Sequence, residues 1–328
     1  MIAVTGASGQ LGRLTVRLLL ERVDAAQVIA LSRTPAAVAD LGVRTRAADF
    51  DDPDSLLAAF DGAERLLLVS TNVFGTTGRR VHQHANAVEA AVKAGVGQVI
   101  YTSIADAGNP GHPAAIAADH RATETALAES GLAYTVLRNS MYTQLILTGL
   151  DVMLATGALL DNTGHGATSY VTREDCAAVA AAVLADGGYE DQRLEVTGPA
   201  AVTQAEIAAL ITEFTGVGVR YVPITDEETV ADLVAHGMAE PAARLYATIG
   251  KSTRDGYTNV VTDVVERITN HKATSVADFL ATNCAGLFSD WYRRPASPWI
   301  NTVGSTRRVR PTRQIDATWV RRRSIRRR

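Results

Sequence analysis

The sequence predicts an α/β fold: a doubly wound parallel sheet with a smaller, mostly helical C-terminal lobe. Three observations predict it. The chain opens with an apolar run, Ile2 to Val4, that passes through Gly6-x-x-Gly9-x-x-Gly12 into leucines at helical spacing, Leu11, Leu14, Leu18 and Leu19. Strand, glycine turn and helix in that order build a phosphate site, because the glycines let the backbone approach a pyrophosphate and the helix N-terminus presents unpaired N–H groups. Apolar runs then alternate with helical patterns through the first half of the chain. With right-handed crossovers, that rhythm forces a parallel sheet covered on both faces. Finally, 328 residues, 47% hydrophobic and 20% charged, suffice for one large α/β unit or for a nucleotide domain with a smaller companion.

Element by element, strands are predicted at 2–5, 27–32, 43–47, 65–69, 98–103 and 133–137. Helices are predicted at 10–22, 35–40, 53–60, 79–94 and 115–130. The second half is less regular. Helical patterns fall near 140–156, 173–186, 203–216, 226–237 and 239–249, with strand-like pieces at 167–171, 192–196 and 218–223. The expected organisation is a dinucleotide-binding Rossmann core over 1–140 and a substrate lobe over 141–288, some of whose elements return to the sheet. A basic tail follows over 289–328, holding twelve arginines, no lysine and two aspartates, a net +10 that leaves −13 for the rest of the chain. As a basic arm it would bind nucleic acid or anionic surfaces; as an unstructured extension it would bind nothing, and its composition favours the second reading.

Composition also narrows the setting. No apolar run reaches the roughly 18 residues of a membrane span, and because the first strand begins at residue 2, no leader is expected ahead of it. Cys176 and Cys284 are far apart and lack metal-ligand spacing. His82 and His84 would face apart on a helix, so no metal site is expected. A cytoplasmic monomer or homodimer with free thiols fits these features.

In a doubly wound sheet the ligand lies at the carboxyl ends of the strands. The first such end supplies Gly6, Ser8, Gly9, Gln10, Leu11 and Gly12 as the phosphate cradle. The second strand ends in Leu31-Ser32-Arg33, with no acid to take a ribose 2′-hydroxyl. Arg33 can pair a 2′-phosphate with a planar charged fork, so NADP(H) is expected over NAD(H); the alternative is a solvated surface arginine. Asp49 and Phe50 would flank the adenine. Ser70, Thr71 and Asn72 would lie under the ribose and pyrophosphate, and Ser103 would face the crevice while Tyr101 packs inward. Such small polar residues are also ordinary turn formers. Thr172-Arg173-Glu174-Asp175 reads as a helix cap.

Taken together, the opening motif, Leu66-Leu67-Leu68-Val69-Ser70, Tyr101-Thr102-Ser103, Asp119-His120-x-x-Thr123-Glu124, Leu137-Arg138-Asn139 and Tyr142 resemble the NmrA-like atypical short-chain dehydrogenases. Within that family they are most similar to type-2 NAD(P)H:quinone oxidoreductases and triphenylmethane-dye reductases, over residues 1 to about 288. The resemblance implies an NADPH-preferring reductase of quinones or similar conjugated electrophiles. One departure bears on mechanism: no tyrosine is followed four residues later by lysine, since Ala105, Ile146 and Glu174 stand after Tyr101, Tyr142 and Tyr170. The tyrosine–lysine dyad of typical short-chain dehydrogenases is therefore missing. Direct hydride transfer to a quinone needs less help, because the developing oxyanion is delocalised and positioning supplies much of the rate. The expected catalytic residues are His120, as a hydrogen-bond donor at the start of the helix after the fifth strand, and Asn139 and Tyr142, as contacts to the acceptor or the nicotinamide amide. Their structural alternatives are pairing of His120 with Asp119 or solvent, a turn at Asn139 and core packing of Tyr142. A rival function is a non-catalytic NADP(H)-binding redox sensor. A sensor needs no cavity on the reactive face of the nicotinamide, whereas a reductase does.

Overall fold

The computed structural model describes residues 1–73 and 78–284. The expected basic tail at 289–328 lies outside the described residues. The strands are β1 (Ile2–Val4), β2 (Val28–Ser32), β3 (Arg44–Ala47), β4 (Arg65–Leu68), β5 (Gln98–Ile104), β6 (Ala133–Asn139), β7 (Ala158–Asp161), β8 (Ala167–Thr168), β9 (Gln192–Val196), β10 (Val202–Thr203) and β11 (Arg220–Pro223). The α-helices are α1 (Gln10–Leu19), α2 (Pro53–Phe60), α3 (Arg79–Lys93), α4 (Ala115–Glu129), α5 (Leu150–Thr156), α6 (Arg173–Asp186), α7 (Gln204–Thr215), α8 (Asp226–Ala235), α9 (Glu240–Arg254), α10 (Val264–Thr269) and α11 (Val276–Cys284).

Seven parallel strands form the main sheet in the order β3-β2-β1-β4-β5-β6-β9. The order reverses between β1 and β4, which opens a crevice at their carboxyl ends. Alternation along the strands divides the core. Val4, Val28, Leu67, Ile100 and Leu137 face α1, α6 and α10. Ala3, Ile29, Leu31, Leu66, Leu68, Val99 and Val136 face α2, α3 and α4. Because both faces are covered, these strands read as continuous apolar runs. Caps set several helix starts. Asp52 accepts from Asp54 and Ser55 ahead of α2. Thr172 accepts from the Asp175 N–H ahead of α6, as its sequence predicts. Thr203 and Thr225 form capping boxes with Glu206 and Glu228.

The boundary expected at 140/141 is not a clean one. After β6 the chain leaves the sheet, then returns as α6, which covers β4 and β5 beside α1, and as β9, which pairs with β6. The lobe is assembled from what lies between and after. Its core holds Ile146, Leu150, Leu159, Ile207, Ile211, Phe279 and Leu280, with two small sheets, β8 with β10 and β7 with β11. The expected helix near 140–156 is a 3₁₀ turn at Thr143–Leu147 followed by α5, because Gly149 takes a left-handed conformation between them.

Candidate active site

The glycine turn is shaped by close approach. Gly6 has φ +59°, and a Cβ on Gly12 would lie 2.4 Å from the Gly6 carbonyl oxygen, so α1 packs directly on the turn only because Gly12 has no side chain. Gly9 caps α1 with no side-chain hydrogen bond, leaving the first N–H groups of the helix for a ligand. Such a cradle fits the pyrophosphate of a dinucleotide.

From this turn a cleft of about 740 Å³ runs along the carboxyl ends of the strands and under the lobe. Every sequence-predicted cofactor residue lines it: Gly6, Ser8, Gly9, Gln10, Leu11 and Gly12 at the turn, Arg33 after β2, Asp49 and Phe50 after β3, Ser70, Thr71 and Asn72 after β4, and Ser103 in β5. Ser32 Oγ donates to Ser8 Oγ at 3.2 Å and accepts from the Thr34 N–H, tying the end of β2 to the glycine turn. Arg33 stands exposed at that end. Asp49 is partly spent on its own turn, its carboxylate accepting from the Asp51 N–H at 3.1 Å. Ser103 reaches the cleft wall, but its hydroxyl donates to Glu124 at 2.7 Å, so it acts first as a tie to α4.

Behind the wall lies a buried polar cluster that sequence reasoning missed. His84 Nε2 accepts the Thr71 N–H at 3.0 Å, which puts the ring proton on Nδ1, facing Thr123 Oγ1 at 2.8 Å. His120 Nε2 lies 2.8 Å from an Arg80 guanidinium nitrogen, which can only donate, and its Nδ1 lies 2.8 Å from the Tyr101 hydroxyl. Burial lowers the pKa of His84 to about 3 and takes that of His120 well below its ordinary value, with the Arg80 cation adding to both effects. Burial also lowers the Arg80 pKa and raises that of Tyr101.

This geometry corrects the expectation for His120. The residue lies in the second turn of α4 rather than at its start, is 1% exposed, and has both ring nitrogens engaged by protein groups. It borders the cleft and holds Arg80 in the wall, but it has no free proton to offer a substrate. Asn139 and Tyr142 do come together. Asn139 Nδ2 lies 3.4 Å from the Tyr142 hydroxyl, and Asn139 Oδ1 is buried without a hydrogen-bond partner among the described residues. Arg173 stacks over the Tyr142 ring at 4.7 Å. Burial raises the Tyr142 pKa, so its hydroxyl stays protonated. The lobe closes this end with Met141, Leu145, Ile249 and Ser252. Ile249 and Ser252 escaped the sequence reading because only the tertiary fold brings α9 over the strand ends.

Beneath the loop after β5, Arg138 pairs with Glu124 at 2.6 Å and with Glu195 at 3.0 Å. Glu195 also accepts the Asp106 N–H at 3.2 Å, which anchors the loop bordering the cleft. Among the described residues, no three His, Cys, Asp or Glu side chains are grouped so as to hold a metal ion, and no helix is long and apolar enough to cross a membrane.

Comparison with known proteins gives a consistent picture. The profile of an NAD(P)H-binding family matches residues 6–187. Quinone oxidoreductase 2 of Escherichia coli (strain K12) is 34% identical over 281 residues, 85% of this chain and 96% of the relative. An NAD(P)H azoreductase of Xenophilus azovorans is 32% identical over 289 residues, 87% of this chain and 98% of the relative. The crystal structure of the Escherichia coli NADPH-dependent quinone oxidoreductase complexed with NADPH superposes with a TM-score of 0.82 at 33% identity, covering 88% of this chain and all of that one. The Citrobacter sp. triphenylmethane reductase complexed with NADP(H) gives 0.80 at 34% identity, with coverage of 88% and 100%.

Proposed function

Because the chain belongs to the NAD(P)H-binding NmrA-like family, in which its relatives are NAD(P)H-dependent reductases, we propose that it is an NADPH-preferring enzyme transferring hydride directly to a quinone or similar conjugated electrophile. One observation carries this reading. The cleft does not stop at the cofactor cradle but continues past the ends of β5 and β6 beneath Met141, Leu145 and Ile249. A sensor that only bound dinucleotide would need no apolar chamber there.

Bound NADPH would supply the hydride from its dihydronicotinamide ring. The residues of the chain supply position. The glycine turn and the N-terminus of α1 hold the pyrophosphate, Arg33 pairs the 2′-phosphate, and Thr71, fixed by His84, supports the ribose side. Asn139, with one acceptor atom unspent, would orient the carboxamide, while Tyr142 and the lobe seat the acceptor. With no tyrosine–lysine dyad in the chain, catalysis rests on proximity and exclusion of water rather than on a strong acid.

The test is NADPH oxidation by the purified protein with a benzoquinone or naphthoquinone, with NADH in parallel. We expect turnover that prefers NADPH. In Arg33→Ala the preference should collapse by about tenfold or more, since a charge-assisted hydrogen bond contributes about 1.5–3 kcal/mol. Tight NADPH binding with no turnover on any quinone would overturn the reductase assignment in favour of a sensor.

A further inference from the structure

The cleft holds a second histidine on the loop after β5, and unlike His120 it has an unused nitrogen. His112 is 9% exposed and lines the cleft. Its Nδ1 accepts the backbone N–H of Ala114 at 3.2 Å, a donor that cannot reverse its role. The ring proton must therefore sit on Nε2. The ring lies against Tyr257 with centroids 5.0 Å apart, so its plane is fixed from the lobe side. Nε2 meets no hydrogen-bond partner among the described residues. Burial depresses the pKa and Arg121 adds to the effect, while Asp106 opposes it, so the imidazole is neutral near pH 7. Tyr257, against which the ring lies, donates its backbone N–H to the Ser252 carbonyl at 2.9 Å, and the Ala115 N–H, three residues after His112, donates to Thr248 Oγ1 of α9 at 3.2 Å, which places His112 at the lobe end of the cleft.

We propose that His112, fixed as its Nε2–H tautomer, donates a hydrogen bond to the carbonyl oxygen of a quinone-type acceptor. This rests on the reductase reading above. Hydride delivery adds two electrons and one hydrogen to the quinone and leaves a hydroquinone monoanion, which takes its second hydrogen as a proton from water. His112 keeps its own proton throughout. A neutral imidazole is too weak an acid to give it up, and Nδ1 cannot take a replacement while it accepts from Ala114. Its contribution is a fixed dipole aimed at the oxygen where charge grows, which gains strength as that charge develops.

Two variants test it. His112→Phe keeps a ring against Tyr257 and removes the donor; His112→Gln restores a donor near the Nε2 position. For wild type and both variants, kcat and KM would be measured with NADPH and one substituted benzoquinone. The dissociation constant of the same quinone would be measured on the NADP⁺ complex, where no turnover occurs. His112→Phe should lower kcat/KM about thirtyfold and weaken quinone binding about fivefold, with NADP⁺ affinity unchanged and with substantial recovery in His112→Gln. In wild type, kcat/KM should be level from pH 7 to 8, because the ring is already neutral and loses no proton. Wild-type parameters in a folded His112→Phe, or a folded His112→Gln no better than His112→Phe, would overturn the proposal. Wild type that binds quinone through His112 without reducing it would sustain the hydrogen bond and refute the reductase reading. Wild type that neither binds nor reduces any quinone would overturn both.

Discussion

Gly12 shows how one residue can set a whole site. A methyl group there would meet the Gly6 carbonyl oxygen at 2.4 Å and the Ala7 nitrogen at 3.0 Å, both backbone atoms with no room to yield. Gly12→Ala should push α1 off the turn and misalign the N–H groups that face the pyrophosphate. We expect NADPH affinity to drop at least tenfold in titrations followed by cofactor fluorescence, with a loss of about 1–3 kcal/mol in unfolding free energy from overpacking. An unchanged affinity would mean that the turn is not the cradle. At the same scale, the sequence placed the glycines, Arg33 and Asn139 at strand ends, and the fold brings them to the cleft wall. The sequence did not place His112. The stretch from Gly108 to Pro113 has no period to place it, and what fixes the ring, the local Ala114 N–H bond to Nδ1 and the packing on Tyr257 from the lobe, depends on the course of the loop in the fold.

Between elements, the His84 and His120 cluster joins α3 and α4 to β5 and to the strand-end residue Thr71. Folding holds His84 neutral down to about pH 3, whereas the unfolded chain protonates it below its ordinary 6.5. Between those values the unfolded state binds more protons, so stability rises with pH across the window. The contribution is complete above about pH 6.5 and is lost as the pH falls toward 3. Protonation would also cost Thr71 its acceptor on the cleft wall. His84→Gln should be less stable at pH 7, where a buried hydrogen bond is lost. Between pH 6 and 4 its stability should fall less steeply than that of wild type, by up to about 1.4 kcal/mol per pH unit. Parallel denaturation series across that range would show the difference, and identical slopes would mean that His84 is not the titrating group. The elements themselves were unevenly legible. α2 and α6 lie where the sequence puts them, because each starts at a side-chain cap, and β9 matches the strand predicted at 192–196. β8 and β10 are two residues each and exist only because they pair across 34 positions, Val202 with Thr168. The strand-like pattern predicted over 167–171 covers β8, whereas β10 has no local signal and falls at the start of the helix predicted over 203–216.

At the scale of the molecule, the described residues that line the cleft lie between Thr5 and Thr258, and the described core closes with Cys284 in α11. The relatives are matched over 96–100% of their own lengths by 85–88% of this chain. The described lining and core are thus drawn from the first 284 residues, and the arginine-rich stretch at 289–328, which adds charge, lies outside the described residues. A chain truncated after residue 288 should bind NADPH with the affinity of the full-length protein, within about twofold. Saturation at 100 times Kd should stabilise both forms equally, by about 2.7 kcal/mol, because the ligand binds only the folded state. Thermal unfolding with and without NADPH would read this directly. Loss of the ligand-induced shift in the truncated chain would mean that the basic segment takes part in the site. An equal shift would confine the binding energy to the sheet ends and the lobe above them, where the seven strands, α1 and α9 converge.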